Sequence, residues 1–578
     1  MPTVPTVPTV PPLPTELWEQ IAVSCGPNEL ASLLGVCVDT KEAVYDALTS
    51  PTPPSVICDE DGKSMFCNRE QVEAFVRVVL LGKSLFLTGG AGSGKSFVTR
   101  KIVSYVIDLV STEQVLVVAP TGPAARLAST PNKLAQTIHF AFNISNIARS
   151  ETDPPFKKSL VGYGCKEIEI EEHDTVMNND APSSNEQSKL PTSRLTPATV
   201  HILASLKFLV IDEISMVSNE FFTLMDLTLR HVRGSDKPFG GVVLLCVGDF
   251  CQLPPVVTSA QAVARNKRLG GGIWAFQSRS WFMEGLALRQ IVRQKDPTFA
   301  AVLNRIRVGK ASWSDASWLN RLTYRPTSPK LSIFPSNDQC RDRNMVEMNK
   351  LVDGGAETYT FQRKRHLFLL VKEKPWQLQP VPMLLPPNEN TWPRTSFPEA
   401  NDITVCVGAR VRATKNIYKS SPNATNGSGV YIEVANGQRG TVTSVSPGLS
   451  VHVQWDPLHP NEESIETSVS SSRRYKKQTY KLENKHVYAS STFLPLSLAW
   501  AITVHSSQGS SVDMPVDVNH RVMTKQGEDW TPQAGGAYVA LSRATKIENL
   551  KILRRFHPND AVLCKSVRKF LVANGLLE

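Results

Sequence analysis

The octapeptide Gly89-Gly90-Ala91-Gly92-Ser93-Gly94-Lys95-Ser96 constrains this 578-residue chain more than any other feature. It fits the pattern G-x-x-x-x-G-K-[ST]. It follows the apolar run Leu85-Phe86-Leu87 and precedes a helical stretch predicted from Phe97 to Val110. A strand, a glycine-rich turn and a helix N-terminus in that order make a phosphate cradle. The glycines let backbone N–H groups turn inward, and the helix end adds positive potential. In that cradle Lys95 would neutralise the β- and γ-phosphates of ATP, and Ser96 would hold Mg2+. From average residue usage, a chance match in a chain this long is on the order of a few per cent. A purely structural glycine turn is therefore disfavoured.

Two further strand ends supply what a phosphate loop needs. Phe208-Leu209-Val210-Ile211 runs into Asp212-Glu213. A carboxylate at a strand end gives the metal its second anchor, which assigns Asp212 to Mg2+. Glu213 could polarise the attacking water as general base. Val242 to Val247 runs into Gly248-Asp249-Phe250-Cys251-Gln252-Leu253-Pro254-Pro255, where Gln252 could report the γ-phosphate. With Val115-Leu116-Val117-Val118, these short apolar runs read as buried parallel strands of an α/β fold. Function in such sheets gathers at the carboxyl ends of the strands.

Length rules out a single hydrophobic core, so several domains are expected. The chain is 41% hydrophobic and 20% charged, as in a soluble globular protein, and no apolar run is long enough to span a membrane. Met1 to Pro14 lacks the layout of a secretory signal, which leaves a cytoplasmic or nuclear address. The 10 cysteines form no C-x-x-C pair, so neither zinc nor redox chemistry is signalled and reduced core thiols are expected. A net charge of +10 permits a polyanionic partner without establishing one.

The chain divides as follows. Residues 1–12 form a proline-rich leader, and 13–50 a helical module with apolar stripes through Leu17, Ile21, Leu30, Leu33 and Leu34. An α/β region begins near 64, with a polar insertion at about 140–200 that includes KEIEIEEHD at 166–174. Short alternating strands such as Ser450 to Trp455 predict a small all-β insertion at about 410–490.

The order of motifs closely resembles the Pif-one helicases (petite integration frequency). Asp212-Glu213-Ile214-Ser215-Met216-Val217, Lys237-Pro238-Phe239-Gly240-Gly241 and GDFCQLPPV at 248–256 carry the likeness. Asn68-Arg69-Glu70-Gln71 is similar to the adenine-reading motif, and Ala119 to Ala125 and Thr137-Ile138-His139 to strand-contacting motifs. Ile291 to Asp296, Asn436 to Gly440, Pro495 to Gly509 and Tyr538 to Ala544 match later ones. The resemblance covers about 64 to 555 and implies two RecA-like domains, 64–285 and 286–578, with a wedge-bearing and an SH3-like insertion. It implies a monomeric, ATP-dependent 5′→3′ DNA helicase acting on single strands and duplex junctions, in replication, repair, recombination or telomere maintenance. It assigns Arg293 and Arg543 as arginine fingers. Thr121, Thr137 and His139 would grip the strand from the first domain, and His505 and Ser507 from the second. Two departures stand out. Ser506 follows His505 where the family has Lys or Arg, and Phe140 follows His139 where Ser is common. Phe140 could stack on a base, with packing in the core the favoured reading.

Outside the motor, Leu13-Pro14-Thr15-Glu16-Leu17 resembles the start of an F-box, the module that docks on ubiquitin-ligase adaptors. An unspecialised helical hairpin is the other reading of 13–48. Two other functions stay open: a ubiquitin-ligase substrate adaptor with a nucleic-acid-binding body, and an RNA helicase of the same superfamily. Arg473-Arg474-Tyr475-Lys476-Lys477 reads either as a nuclear import signal or as a solvated basic loop touching DNA.

Overall fold

The computed structural model describes residues 69–130, 133–142, 195, 197–256, 272–291, 296–324, 330–371, 377–380, 402–420, 430–457, 463–482, 485–526 and 529–577. The leader, the 13–50 module, most of the expected insertion at 140–200 and Arg293 lie outside the described residues.

The first domain is built on six parallel strands: β1 (Leu85–Gly89), β2 (Val115–Ala119), β3 (Gln136–Thr137), β4 (Phe208–Ile211), β5 (Val243–Val247) and β6 (Glu284–Leu288). Their spatial order is β3-β2-β4-β5-β1-β6. Successive side chains of a strand point to opposite faces, so each strand feeds two cores. Leu85, Leu87, Val115 and Val117 pack against Val98, Ile102 and Val103 of one covering helix, α2 (Lys95–Val110). A shorter helix, α1 (Arg69–Phe75), adds Ala74 and Phe75 to that side. Phe86, Leu209 and Leu244 face the other way, against Phe222, Met225 and Leu229 of α5 (Asn219–Arg233). Two short helices complete this half, α3 (Gly122–Ala128) and α4 (Ile138–Ala141).

The second domain holds four parallel strands. β7 (Leu331–Phe334), β15 (Ala501–Thr503), β16 (Val516–Val518) and β17 (Leu550–Ile552) lie in the order β15-β7-β16-β17. Phe299, Leu303 and Ile306 of α6 (Pro297–Arg307) pack with Val539 and Leu541 in its core. Between β7 and β15 the chain leaves for an antiparallel insertion. β8 (Arg410–Ala413), β11 (Arg439–Ser446), β12 (Ser450–Trp455), β13 (Ile465–Ser470) and β14 (Leu496–Leu498) form one sheet around fully buried Trp455. The hairpin β9 (Ile417–Ser420) and β10 (Val430–Val434) projects beside it. A small all-β insertion therefore stands where the alternating run 450–455 predicts one. A second sheet, from strands 364–371, 377–380, 472–482 and 485–493, was not anticipated. The basic run Arg473 to Lys477 lies on strand 472–482, paired with 485–493, and not in a loop.

The expected division at 285/286 is displaced at both ends. β6 pairs with β1 over Glu284 to Leu288, so the first sheet runs past 285. The last helix, α9 (Lys565–Ala573), buries Val567 and Leu571 in the core that holds Phe86 and Phe250. Its Phe570 ring stacks on Phe276 at 4.2 Å. The C-terminus thus returns to the first domain, because that aromatic cluster needs an apolar cover that nearby sequence does not supply. Among the described residues no helix is long and apolar enough to cross a membrane. Cys246, Cys251, Cys340 and Cys406 are free and buried, as expected of core thiols.

Candidate nucleotide pocket and strand-binding face

Three adjacent strand ends converge. β4 delivers Asp212 and Glu213, β5 delivers Gly248 to Gln252, and β1 between β5 and β6 delivers the glycine loop. The loop turns through Gly92 at φ 82° and Gly94 at φ 89°, a region that favours glycine. Gly94 has a second constraint: a Cβ there would lie 2.7 Å from Nε2 of buried Gln71. Gln71 therefore braces the loop where α2 begins. Lys95 Nζ donates to the carbonyls of Gly89 at 2.8 Å and Gly90 at 3.0 Å, folding over its own loop. Burial lowers its pKa, against the opposing pull of Asp249, Glu213 and Asp212. Ser96 is exposed at the first turn of α2.

The carboxylates are held in a strained turn. Glu213 sits at φ 51°, ψ 45°, a left-handed conformation that a residue with a Cβ adopts at a cost. Asp212 Oδ1 accepts the Glu213 N–H at 2.9 Å. Burial, then the neighbouring Glu213 charge, pushes Asp212 up to about 7. Burial also raises Glu213, which Lys95 and Arg543 pull back toward its charged form. Thr88 Oγ1, Ser93 Oγ, Glu213 Oε2 and Gln252 Oε1 are buried without a hydrogen-bond partner. Such atoms cost about 1–3 kcal/mol each when left unpaired. Their gathering in the loop and its flanking strand ends fits a ligand rich in oxygen, with a cation and ordered water. Among the described residues no group of three or more acidic, His or Cys side chains could hold a metal alone. A metal at Ser96 and Asp212 would therefore arrive with phosphates.

The second domain closes the pocket with groups that the motif reading missed. Tyr538, on α8 (Gly536–Leu541), accepts the Ala91 N–H at 2.6 Å through its hydroxyl. Arg307, the last residue of α6, makes a buried two-pronged ion pair with Asp249, Nε to Oδ2 2.8 Å and Nη2 to Oδ1 2.9 Å. Arg307 also lies against the loop, since a Cβ on Gly90 would meet its Cδ at 3.8 Å. Gln508 Nε2 donates to Ser215 Oγ at 3.2 Å, beside Glu213. A signal existed in the sequence: Asp249 is a charge in an apolar strand end and required a partner. Nothing nearby in sequence identified Arg307 as that partner.

Arg543 is buried, near enough to Glu213 to shift it, and binds the carbonyls of Val539 (2.8 Å), Ser510 (2.7 Å) and Ser507 (3.3 Å). It thus ties the pocket to α7 (Val504–Ser507), the helix that carries His505. Ser507 is 0% exposed, and its hydroxyl donates to Val504 O at 2.8 Å. The expected strand contact at Ser507 is therefore corrected to a structural role, since its helical spacing turns it inward. The exposed neighbour is Ser506, whose Oγ accepts from Arg412 Nη1 at 3.1 Å. Arg412, on β8, is also held through Nε by Ser497 Oγ at 2.9 Å. Burial lowers its pKa, and no carboxylate among the described residues pairs with it. A cation thus stands beside position 506, brought there from a strand almost a hundred positions earlier.

On the first domain Thr121 caps α3, its Oγ1 accepting from Ala124 N at 3.3 Å. Thr137 precedes α4, and His139 packs edge-on against Phe221 at 4.9 Å. Burial lowers the His139 and His505 pKa values, keeping both rings neutral near pH 7. Phe140 is not in the core but 47% exposed. The domains touch here as well: Arg126 Nη1 donates to the carbonyls of Ile432, at 2.8 Å, and Glu433 on β10. Lys237 to Gly241 has a different role. Phe239 is fully buried at φ 51°, and Asp226 accepts its N–H at 2.6 Å and the Ser280 hydroxyl at 2.6 Å. That segment shapes the first domain beneath β5.

Two parallel sheets, a phosphate loop and a pocket sealed by both halves define a two-domain RecA-like architecture. The family model described as "AAA domain" matches residues 71–258. The chain is 29% identical over 500 residues to the zebrafish (Danio rerio) "ATP-dependent DNA helicase PIF1", covering 84% of this chain and 61% of that one. For the Xenopus laevis protein of the same name, identity is 27%, with 83% and 60% covered. The chain thus spans about three fifths of these relatives. The "Crystal structure of Pif1 helicase from Bacteroides in complex with ADP-AlF3 and ssDNA" has a similar fold, with TM-score 0.63, 24% identity and coverage of 89% and 98%. Pif1 helicase from Candida albicans has TM-score 0.61, 22% identity and coverage of 88% and 99%. Over most of its length the chain is thus similar to Pif1 helicases.

Proposed function

We propose that this chain is an ATP-dependent DNA helicase that moves 5′→3′ along a single strand and opens duplex junctions as a monomer. The observation that carries the reading is the shared pocket: Tyr538, Arg307, Gln508 and Arg543 of the second domain meet the loop, Asp249 and Glu213 of the first. Relatives named as ATP-dependent DNA helicases, and a like fold described with ADP-AlF3 and single-stranded DNA, support it.

In this reading the phosphates displace the Lys95 ammonium from the Gly89 and Gly90 carbonyls and the Tyr538 hydroxyl from the Ala91 N–H. Both groups are already aimed at the loop, so little reorganisation is needed. Mg2+, held by Ser96 and Asp212, would neutralise charge on the phosphate oxygens. Glu213 accepts the proton of the attacking water, and Gln252 orients it. Arg543 supplies a fixed fork of donors to charge that develops in the transition state, and Arg293 is proposed for the same work. Because Arg543 also holds the Ser507 and Ser510 carbonyls, its shift on hydrolysis is felt at His505. Thr121, Thr137 and His139 hold the strand from one side, His505 and Arg412 from the other. Alternating the tighter side converts the cycle into movement.

The test is ATPase activity with and without single-stranded DNA. Strong stimulation is expected, because a strand bridging both domains favours closure. Equal rates would count against coupling.

A further inference from the structure

We propose that Phe140 and Tyr418 form a clamp that closes on one base of the bound strand, one ring from each domain. The proposal rests on the strand-translocation reading above and deepens it.

The two rings face each other with centroids 6.2 Å apart and planes within 26°. Phe140 is 47% exposed and Tyr418 45% exposed. A pair that existed to glue the domains together would hide its rings. This one leaves nearly half of each in water. Stacked nucleic acid rises about 3.4 Å per base, so a base between two rings needs them about 6.8 Å apart. The ring centroids stand at a comparable separation, so a modest parting of the domains admits a base. Uncharged ring faces accept any base, which suits a motor that must pass every sequence.

The clamp is wired to both grips. Phe140 directly follows His139 on α4. Tyr418 stands on β9, and its hydroxyl accepts from Asn416 Nδ2 at 3.2 Å. Asn416 Oδ1 in turn accepts the Asn436 N–H at 2.8 Å. The same Oδ1 lies 2.1 Å from where a Cβ on Gly122 would stand. Glycine at 122 thus lets Asn416 seat against the Thr121 segment of the first domain. The run from Arg412 to Tyr418 carries the cation proposed above for the strand at one end and the ring at the other. Any change in the approach of the two domains alters the Gly122–Asn416 contact and the ring spacing together. The clamp therefore grips a base once the domains part slightly from their present approach, and wider parting lets it slide.

The experiment is an abasic walk. Binding of the full chain to oligo-dT is measured by fluorescence anisotropy, with a single abasic position moved stepwise along the strand. The expected result is one register at which loss of the base weakens binding about tenfold, the size of one stacked base. That penalty should vanish in Phe140→Ala and in Tyr418→Ala. It should persist in Phe140→Trp and Tyr418→Phe, which keep a ring and guard against misfolding as the cause. Tight binding of intact oligo-dT with a flat walk would overturn the clamp. So would a penalty that survives in both alanine variants. If the unaltered chain bound no oligo-dT at all, the translocation reading itself would fail.

Discussion

The nucleotide pocket and the proposed strand-binding face are built on opposite plans. The pocket is assembled from short contiguous motifs at three neighbouring strand ends, and Asp212, Asp249, Gln252, Arg307 and Arg543 are buried in it. The strand face is assembled from residues far apart in sequence, such as Arg412 with Ser506 and Phe140 with Tyr418, left half-exposed at the seam. Phosphate chemistry demands fixed backbone geometry, and a loop of eight residues can encode that. A moving polymer demands contacts that come and go, and half-exposed groups brought together from distant segments can provide them. The first plan fixes residue types tightly; the second fixes the position of a charge or ring and tolerates a change in which residue delivers it.

If that contrast is right, changes in the pocket should be far more damaging than changes on the face. Lys95→Ala and Glu213→Gln should each lower hydrolysis by on the order of 10²–10³-fold, as for loss of a preorganised charge in a closed site. Glu213→Gln should still bind ATP and strand, whereas a wild-type rate in that variant would remove Glu213 from the role of base.

The next effect is structural. Asp249→Asn leaves Arg307 charged, buried and poorly paired, which should destabilise the fold by about 3–5 kcal/mol in denaturant titration. A double replacement of Asp249 and Arg307 by apolar residues of similar volume should recover most of this. Failure of the double variant to recover would mean that Arg307 does more than balance Asp249.

Arg412→Gln should weaken oligo-dT binding severalfold and reduce the salt dependence of log K by about 0.7, the share of one phosphate on a single strand. Arg412→Lys should restore the slope. An unchanged slope in Arg412→Gln would make that arginine a packing residue. Ser506→Lys, which adds the expected cation beside one already there, should gain little for the same reason.

The smallest effect is in pH. Asp212 must ionise to hold a metal, yet burial raises it to about 7. A carboxylate raised in the folded state disfavours folding progressively as pH climbs from its unfolded value near 4 to about 7. Binding of Mg–ATP should therefore release a proton below pH 7 and tighten as pH rises from 5 to 7. Calorimetry in buffers of different ionisation enthalpy reads that proton. Asp212→Asn should abolish the dependence.

The same contrast explains what the sequence disclosed. Lys95 was legible from its spacing to the glycines at the start of α2, and Asp212, Glu213 and Gln252 from their places just after apolar strands; the structure brings them together. Arg307 and Tyr538 were not, because their partners Asp249 and Ala91 are 58 and 447 positions away. Ser507 was misread because motif resemblance gives adjacency but not the helical turn that buries it. For Phe140, core packing was favoured over stacking on a base, and the structure leaves the ring half-exposed. Its exposure follows from α4 being four residues long, too short to bury both faces. The return of α9 to the first domain escaped notice because an amphipathic helix shows that it has an apolar face, not which core that face meets.

In the proposed cycle, hydrolysis in the pocket drives directional movement across the face. Strand displacement tests it most directly, with 5′-tailed, 3′-tailed and blunt duplexes of DNA and of RNA, with and without ATP. Opening of the 5′-tailed DNA duplex alone, and only with ATP, is the result expected. Efficient opening of the 3′-tailed duplex with the 5′-tailed one untouched, or opening without ATP, would contradict it.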